Sequence, residues 1–430
     1  MGDADLMVGV PSFGNADTIG YVVRAATAGM VQYFPDLKPI LVNSDGGSPD
    51  GTPRVAVSTE SPDYLEKVIL VSPRHKLQRL TFTYQGTSGK GTAVRGLFEV
   101  ARELGVKAMV MVDSDLRSIV PEWIELLAGP ILKGGYDFVA PMYARYKYDG
   151  TITNNISYPL TRALYGARIR QPIGGDFAIS GDLVRRYLEL DTFNDLTARF
   201  GIDIWMTHSA INEGFAVCQA RLGAKIHDAK DPASDLGPMF RQVVGTLFKL
   251  AGHYESRWLR VKGSHPIPEY GFERVVAPEP INVSQEKLVD SFENARLAHG
   301  DAWGEMLSDE QLERVMALTW DEVAQFHFPA ELWIRCLYDT LVAYNRPGAE
   351  LERILAALTP LYFARTAGFI TETAEMTTDQ AERVIDDQAR QFEELKPYLV
   401  TRWREMRAAT APADSVAANG SMEAADGPEA

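Results

Sequence analysis

Two carboxylates one residue apart follow an apolar run in VMVDSDL (110–116). If that run is a strand, Asp113 and Asp115 stand at one sheet edge, where carboxylates can hold a divalent cation such as Mg2+ or Mn2+. A cation so placed neutralises a diphosphate and, in a group transfer, stabilises the departing nucleotide. The plainer alternative has Asp113 capping a turn and Asp115 merely solvated. The buried strand in front, at the right place in an alternating order of strands and helices, favours the metal. His227, in ARLGAKIHDAKD (220–231), follows another strand-like segment and supplies the third ligand that the pair lacks.

Four other segments carry chemistry. In SDGGSPDGT (44–52), Asp45 precedes two glycines that let backbone approach a ligand, and its carboxylate can accept from a base imide or a ribose hydroxyl. YQGTSGKGTAVRG (84–96) sets Gly86 and Lys90 before a helix N-terminus, a place suited to a phosphate or base. Its spacing is not that of a P-loop, which argues against a nucleoside triphosphatase. IRQPIGGDFAIS (169–180) fixes Gly174 and Gly175 in a loop beside Asp176. FGIDIWMTHSAINEGF (200–215) puts Asp203 at the start of an apolar helix, where its charge also complements the helix dipole.

The elements that must position these residues read as α/β. Strands are expected at 5–12, 38–43, 68–72, 81–86 and 108–115, and helices at 15–33 (capped at its start), 52–58 and 89–105. Apolar strands alternating with helices imply a mostly parallel sheet covered on both faces. Ligands of such sheets bind beyond the carboxyl ends of the strands, where Pro11-Ser12, Asp45 and Asp113-Asp115 all fall. Domain boundaries are expected at 1–265 (catalytic), 266–283 (proline-rich linker), 284–407 (mainly helical) and 408–430 (disordered tail).

Composition narrows the function classes. A net charge of −15 argues against a general nucleic-acid binder, which needs clustered Lys and Arg. No apolar run reaches the ~18 residues of a membrane span and the N-terminus lacks a basic, apolar leader, so a cytoplasmic protein is expected. The two cysteines, Cys218 and Cys336, are too few for a zinc site and read as buried thiols.

Taken in order, PSFGNADTIG, NSDGGSPDGT, GTSGKGTA, VDSD, QPIGGDFAIS, GIDIWM and KIHDAKD resemble retaining glycosyltransferases of the GT-A fold. The resemblance is to mannosylglycerate and glucosyl-3-phosphoglycerate synthases and covers roughly residues 5–260. It implies a Rossmann-like mixed sheet flanked by helices, with the mainly helical region appended. By that likeness Pro11, Ser12 and Asp45 contact the nucleoside and Lys90 the base or phosphate, with Gly86 in its loop. Asp115 and His227 carry the cation, and Asp113 the ribose or the cation. Gly174, Gly175 and Asp176 line the donor sugar, where Asp176 replaces the family's Glu. Asp203 lies near sugar and acceptor, with Phe200 in place of a Trp, and Asn15 replaces an acidic residue. Arg145, Thr151, Thr153 and Asn154 fall in the acceptor region. The Gly-Arg-Val-Thr run of the phosphoglycerate enzymes is here Gly150-Thr151-Ile152-Thr153.

The expected activity is metal-dependent transfer of a hexose from a nucleotide sugar to a small acidic acceptor, glycerate or 3-phosphoglycerate. UDP-glucose is the first expectation for the donor and GDP-mannose the alternative; the product would be a glucosylglycerate-type compatible solute. Two other readings compete. A sugar nucleotidyltransferase would carry a basic, glycine-rich loop after the first strand, which PSFGNADTIG is not. A non-catalytic sugar-nucleotide-binding scaffold would assemble through the helical region, which could also pair in a homodimer.

Overall fold

The computed structural model describes residues 3–62, 65–71, 89–226, 236–273 and 278–410. Among the described residues are ten strands: β1 (Leu6–Ser12), β2 (Pro39–Asp45), β3 (Glu66–Val71), β4 (Ala108–Met111), β5 (Phe138–Ala144), β6 (Ala167–Arg168), β7 (Phe177–Ser180), β8 (Val217–Ala224), β9 (His265–Pro266) and β10 (Glu269–Tyr270). Eight of them form one mixed sheet in the order β10-β8-β5-β7-β4-β1-β2-β3. β7 runs antiparallel to both β4 and β5, and the other neighbours are parallel. β6 and β9 make a separate two-stranded ribbon.

The helices of the sheet region are α1 (Ile19–Tyr33), α2 (Thr52–Ser58), α3 (Lys90–Glu103), α4 (Glu122–Gly134), α5 (Tyr158–Tyr165), α6 (Gly181–Glu189), α7 (Ile202–Asn212), α8 (Leu236–His253) and α9 (Glu255–Trp258). The C-terminal helices are α10 (Gln285–Ala298), α11 (Gly300–Met306), α12 (Asp309–Met316), α13 (Ala330–Tyr344), α14 (Leu351–Thr373), α15 (Thr378–Glu394) and α16 (Lys396–Thr410).

Every residue of β1 and β4 is buried, as expected of strands covered on both faces. Successive side chains leave a strand on opposite faces. Leu6, Val8, Val10, Ala108 and Val110 therefore pack into one core with α1 and α4. Met7, Met109 and Met111 point the other way, into a core shared with α3, α6, α7 and α8. That second core continues without a break into α13, α14 and α16, so the C-terminal helices bury apolar surface against the helical layer of the sheet. The helix α14 is long and apolar enough to cross a membrane by composition, yet most of it is buried inside the protein. It also holds Arg365, fully buried and bonded to Glu372, Gln388 and the Phe328 carbonyl.

Three local expectations change. The first helix begins at Ile19, not at 15, and no side chain caps it. Thr18, at the N-cap position, instead donates to the carbonyl of Ser114 at 2.8 Å, tying the helix start to the segment after β4. β2 runs on to Asp45, so that residue ends a strand rather than opening a turn. The proline-rich stretch after 265 contributes β10, which extends the sheet beside β8. The strand expected at 81–86 and the tail beyond 410 lie outside the described residues. Cys218 and Cys336 are buried and unpaired, and burial pushes the Cys218 thiol up to about 12.

Candidate active site

One edge of the sheet gathers nearly all the residues singled out. β1, β4, β5 and β8 end there, and the antiparallel β7 begins there. Asp113 follows β4, Arg145 follows β5, Lys225 follows β8 and Asp176 immediately precedes β7. Above this edge lies a cavity of about 670 Å³. Its lining includes Pro11, Ser12, Lys90, Asp113, Asp115, Arg145, Thr151, Thr153, Gly174, Gly175 and Asp203. That volume is of the size that encloses a small organic ligand.

At the centre two ammonium groups alternate with three carboxylates. Lys90 Nζ is 2.8 Å from Asp113 Oδ1 and 3.3 Å from Asp203 Oδ1. Lys225 Nζ donates to Asp113 Oδ2 at 2.8 Å, Asp176 Oδ2 at 2.9 Å and the Gly174 carbonyl at 2.8 Å. Asp176, fully buried, accepts the Asp113 amide at 2.7 Å and the Tyr143 hydroxyl. Burial disfavours ionised Asp113, but the ammonium groups of Lys225 and Lys90 outweigh it and hold that carboxyl well below the usual range. The uncompensated negative charge falls on Asp203, whose carboxyl is raised, chiefly by burial and also by Asp113. Its Oδ2 accepts the Gly175 amide at 2.9 Å, while Oδ1 has only the Lys90 ammonium, in a longer contact of 3.3 Å.

Gly175 is required by this geometry. It sits at φ 86°, and a Cβ there would lie 1.9 Å from Asp113 Oδ2 and 2.9 Å from Lys225 Nζ. Gly175→Ala is expected to cost at least about 1–3 kcal/mol of stability, since it adds left-handed strain and parts the Lys225–Asp113 pair. Denaturant unfolding beside the wild type checks this.

The first turn of α3 is closely packed against residues 197–199. The amides of Gly91 and Thr92 donate to the carbonyls of Arg199 and Ala198 at 3.0 and 2.9 Å. A Cβ on Gly91 would meet the Thr197 carbonyl at 1.9 Å. What this helix start offers a ligand is therefore the Lys90 side chain, not these two amides.

Other expected residues sit beneath the surface. Asp45 is 1% exposed and does not line the cavity. Its oxygens accept from Ser12 Oγ, Ser48 Oγ and the amides of Gly47 and Ser48, which shapes the loop under Ser12 and Gly46. Asp176 likewise acts from below. Asn154 is bonded to the Asp149 carbonyl and to Arg170, away from the lining. Asn15 lines the cavity and accepts from Ser114 Oγ and the Phe13 amide. Gly86 and His227 lie outside the described residues.

Three lining residues are not among those singled out from the sequence. Lys225 stands two positions before His227, and the strand-end logic that picked Asp113 would have found it. Arg199, next to Phe200, adds a cation, and Phe13, 64% exposed, adds an aromatic face. For a divalent cation the donor set divides. Asp115 lines the cavity, while each oxygen of Asp113 already accepts an ammonium. Among the described residues no three His, Cys, Asp or Glu side chains converge on one point.

No protein-family model matches the chain, and no curated protein matches it. Among solved structures it is similar to glucosyl-3-phosphoglycerate synthase from Mycobacterium tuberculosis in complex with Mn2+, UDP and glucosyl-3-phosphoglycerate. There the identity is 24% over 58% of this chain and 80% of that one, with a TM-score of 0.45. The same enzyme with Mn2+, UDP-glucose and phosphoglyceric acid gives 24% over 58% and 80%, with a TM-score of 0.44. A structure described only as a mycobacterial protein gives 27% over 58% and 75%, with a TM-score of 0.43.

Proposed function

We propose that this chain is a metal-dependent retaining hexosyltransferase of the GT-A type, using a nucleotide sugar as donor and a small acidic molecule as acceptor. The observation that carries the reading is the Lys90–Asp113–Lys225–Asp176 chain beside Asp203 and Asp115, at the carboxyl edge of the sheet in a cavity of about 670 Å³. Lys90 would face the diphosphate as a fixed positive charge, pre-oriented by Asp113. Asp203 Oδ1, met only by the Lys90 ammonium at 3.3 Å, would accept from a sugar or acceptor hydroxyl and fix its direction. The acceptor hydroxyl would attack the anomeric carbon on the face the diphosphate leaves. Its proton would pass to the departing phosphate oxygen, so the protein need not supply a general base. Arg145, whose Nε is buried without a hydrogen bond, and Arg199 offer the cationic wall that an acceptor carboxylate needs.

Asp115 fits a divalent cation, being a carboxylate on the cavity wall, and we assign His227 to it as well; Asp113 would join them by exchanging one of its two ammonium partners for the cation. Bound there, the cation would neutralise the diphosphate and favour its departure. We take UDP-glucose as the donor and glycerate or 3-phosphoglycerate as the acceptor, with GDP-mannose the alternative donor.

The test is a panel of nucleotide sugars against both acceptors with Mg2+ or Mn2+, read by nucleoside diphosphate release. Release that depends on acceptor and is abolished by chelation is expected. Asp115→Ala should lower it about a hundredfold or more at limiting metal; full activity in that variant would remove Asp115 from the cation. Pyrophosphate exchange with a sugar phosphate, and no transfer, would overturn the reading.

A further inference from the structure

The cavity wall formed by residues 145–153 is held by the C-terminal helices. Lys147 is 7% exposed, and its Nζ donates to the carbonyls of Thr373 at 2.7 Å, Ala374 at 3.1 Å and Met376 at 2.8 Å. All three ammonium protons are thereby used at the end of α14, where orphan carbonyls and the negative pole of the helix collect. The next residue, Tyr148, makes a longer hydroxyl contact to the Ile370 carbonyl, 3.5 Å. Thr151, on the cavity wall, meets the Tyr362 hydroxyl in mid-α14 at 2.5 Å. Tyr362 in turn stacks on Phe240 of α8, 4.6 Å between ring centroids, and α8 also lines the cavity through Met239, Gln242 and Val243.

The following residues are fastened in the same way. Gln388 of α15 donates to the Asn154 carbonyl at 3.1 Å, and Trp333 of α13 to the Asn155 carbonyl at 2.9 Å. These bonds fall on the π-helical turn Thr153–Ser157, a rare form of helix that recurs at functional sites.

We propose that Lys147 is a positioning residue: by closing the carboxyl end of α14 it sets residues 145–153 so that Arg145, Thr151 and Thr153 meet the acceptor. The helical region is then part of the acceptor site. A lysine that merely caps a helix would stabilise the fold and leave substrate preference alone. The proposal rests on the transferase reading for the acceptor, and its test separates the two.

The full-length chain carrying Lys147→Met keeps the aliphatic stem and loses the three hydrogen bonds. Its KM for the acceptor is expected to rise about tenfold, with the donor KM within about twofold and kcat little changed. Lys147→Arg, which can still donate to the carbonyls, should recover most of that rise. Tyr362→Phe leaves the cap intact and removes the hydroxyl that meets Thr151; it should raise the acceptor KM about threefold and serves if Lys147→Met does not fold. Hydrogen exchange gives a readout free of turnover. In either variant the amides of 145–153 should exchange at least about tenfold faster, with those of β1 and β4 unchanged. Unchanged exchange at 145–153, or donor and acceptor KM rising in proportion, overturns the proposal. Wild-type protein inert toward every donor and acceptor would overturn the transferase reading, while the exchange comparison still decides whether α14 holds the loop.

Discussion

Lys225→Met is expected to destabilise the protein by about 3–5 kcal/mol, the range for removing one partner of a buried ion pair. The side chain is 4% exposed and Asp176 is fully buried, so solvent screening relieves little of that cost. The methionine keeps the volume of the lysine stem, which confines the loss to charge and hydrogen bonding. Without the ammonium, Asp113 and Asp176 face each other across a short bond with one cation fewer, and one of them should take up a proton. Urea unfolding measures the loss, and Lys225→Met with Asp176→Asn should recover a substantial part of it. If the double variant loses as much as the two single changes added together, the residues are not coupled.

The pH dependence has a definite sign. Asp113 is depressed in the folded state, so its contribution to stability is present above the carboxyl pKa of the unfolded chain and is lost as pH falls through the folded value. In the Lys225→Met variant that acid-side loss should begin at a higher pH than in the wild type.

Asp203→Asn should separate stability from activity. The Asp203 carboxyl is raised by burial, so holding it ionised at neutral pH works against the folded state. An amide oxygen can still accept the Gly175 amide, and Lys90 keeps Asp113. Unfolding midpoints at neutral pH should therefore be unchanged or higher. Turnover should nevertheless fall about a hundredfold or more, because the substrate hydroxyl loses its anionic acceptor. The wild-type acid limb of kcat/KM is expected above the pH of an ordinary aspartate, and it should vanish in the variant. A variant that is stable and fully active would leave Asp203 as a structural carboxylate, tied only to Gly175 and Lys90.

Much of the sheet was legible because its strands are buried on both faces. The runs at 6–11 and 108–111 are uninterrupted by a polar side chain, and such runs admit few other readings. The antiparallel β7 was not legible. Three apolar residues and a serine, Phe177–Ser180, carry no mark of direction, and only their pairing with Met111–Ala108 reveals it. The start of α1 was misplaced because Asn15 and Thr18 have the composition of a cap. In the folded chain their oxygens are drawn instead to Ser114, far away in sequence.

The opening pair of carboxylates shows the division most clearly. The sequence by itself determined that Asp113 and Asp115 stand at the end of a buried strand, because apolar length and the polar break after it are local properties. It likewise placed Lys90, Gly175 and Asp203 beside turns or helix starts. Only the tertiary structure decided that Asp113 is clamped between Lys90 and Lys225 while Asp115 faces the cavity. It also decided that Asp176 and Asp45 act from beneath the surface, and that α14 grips the wall bearing Thr151. The physical reason is that charge pairing and burial depend on through-space distance. Residues 90, 113, 176, 203 and 225 become neighbours only when the strand ends are brought to one edge.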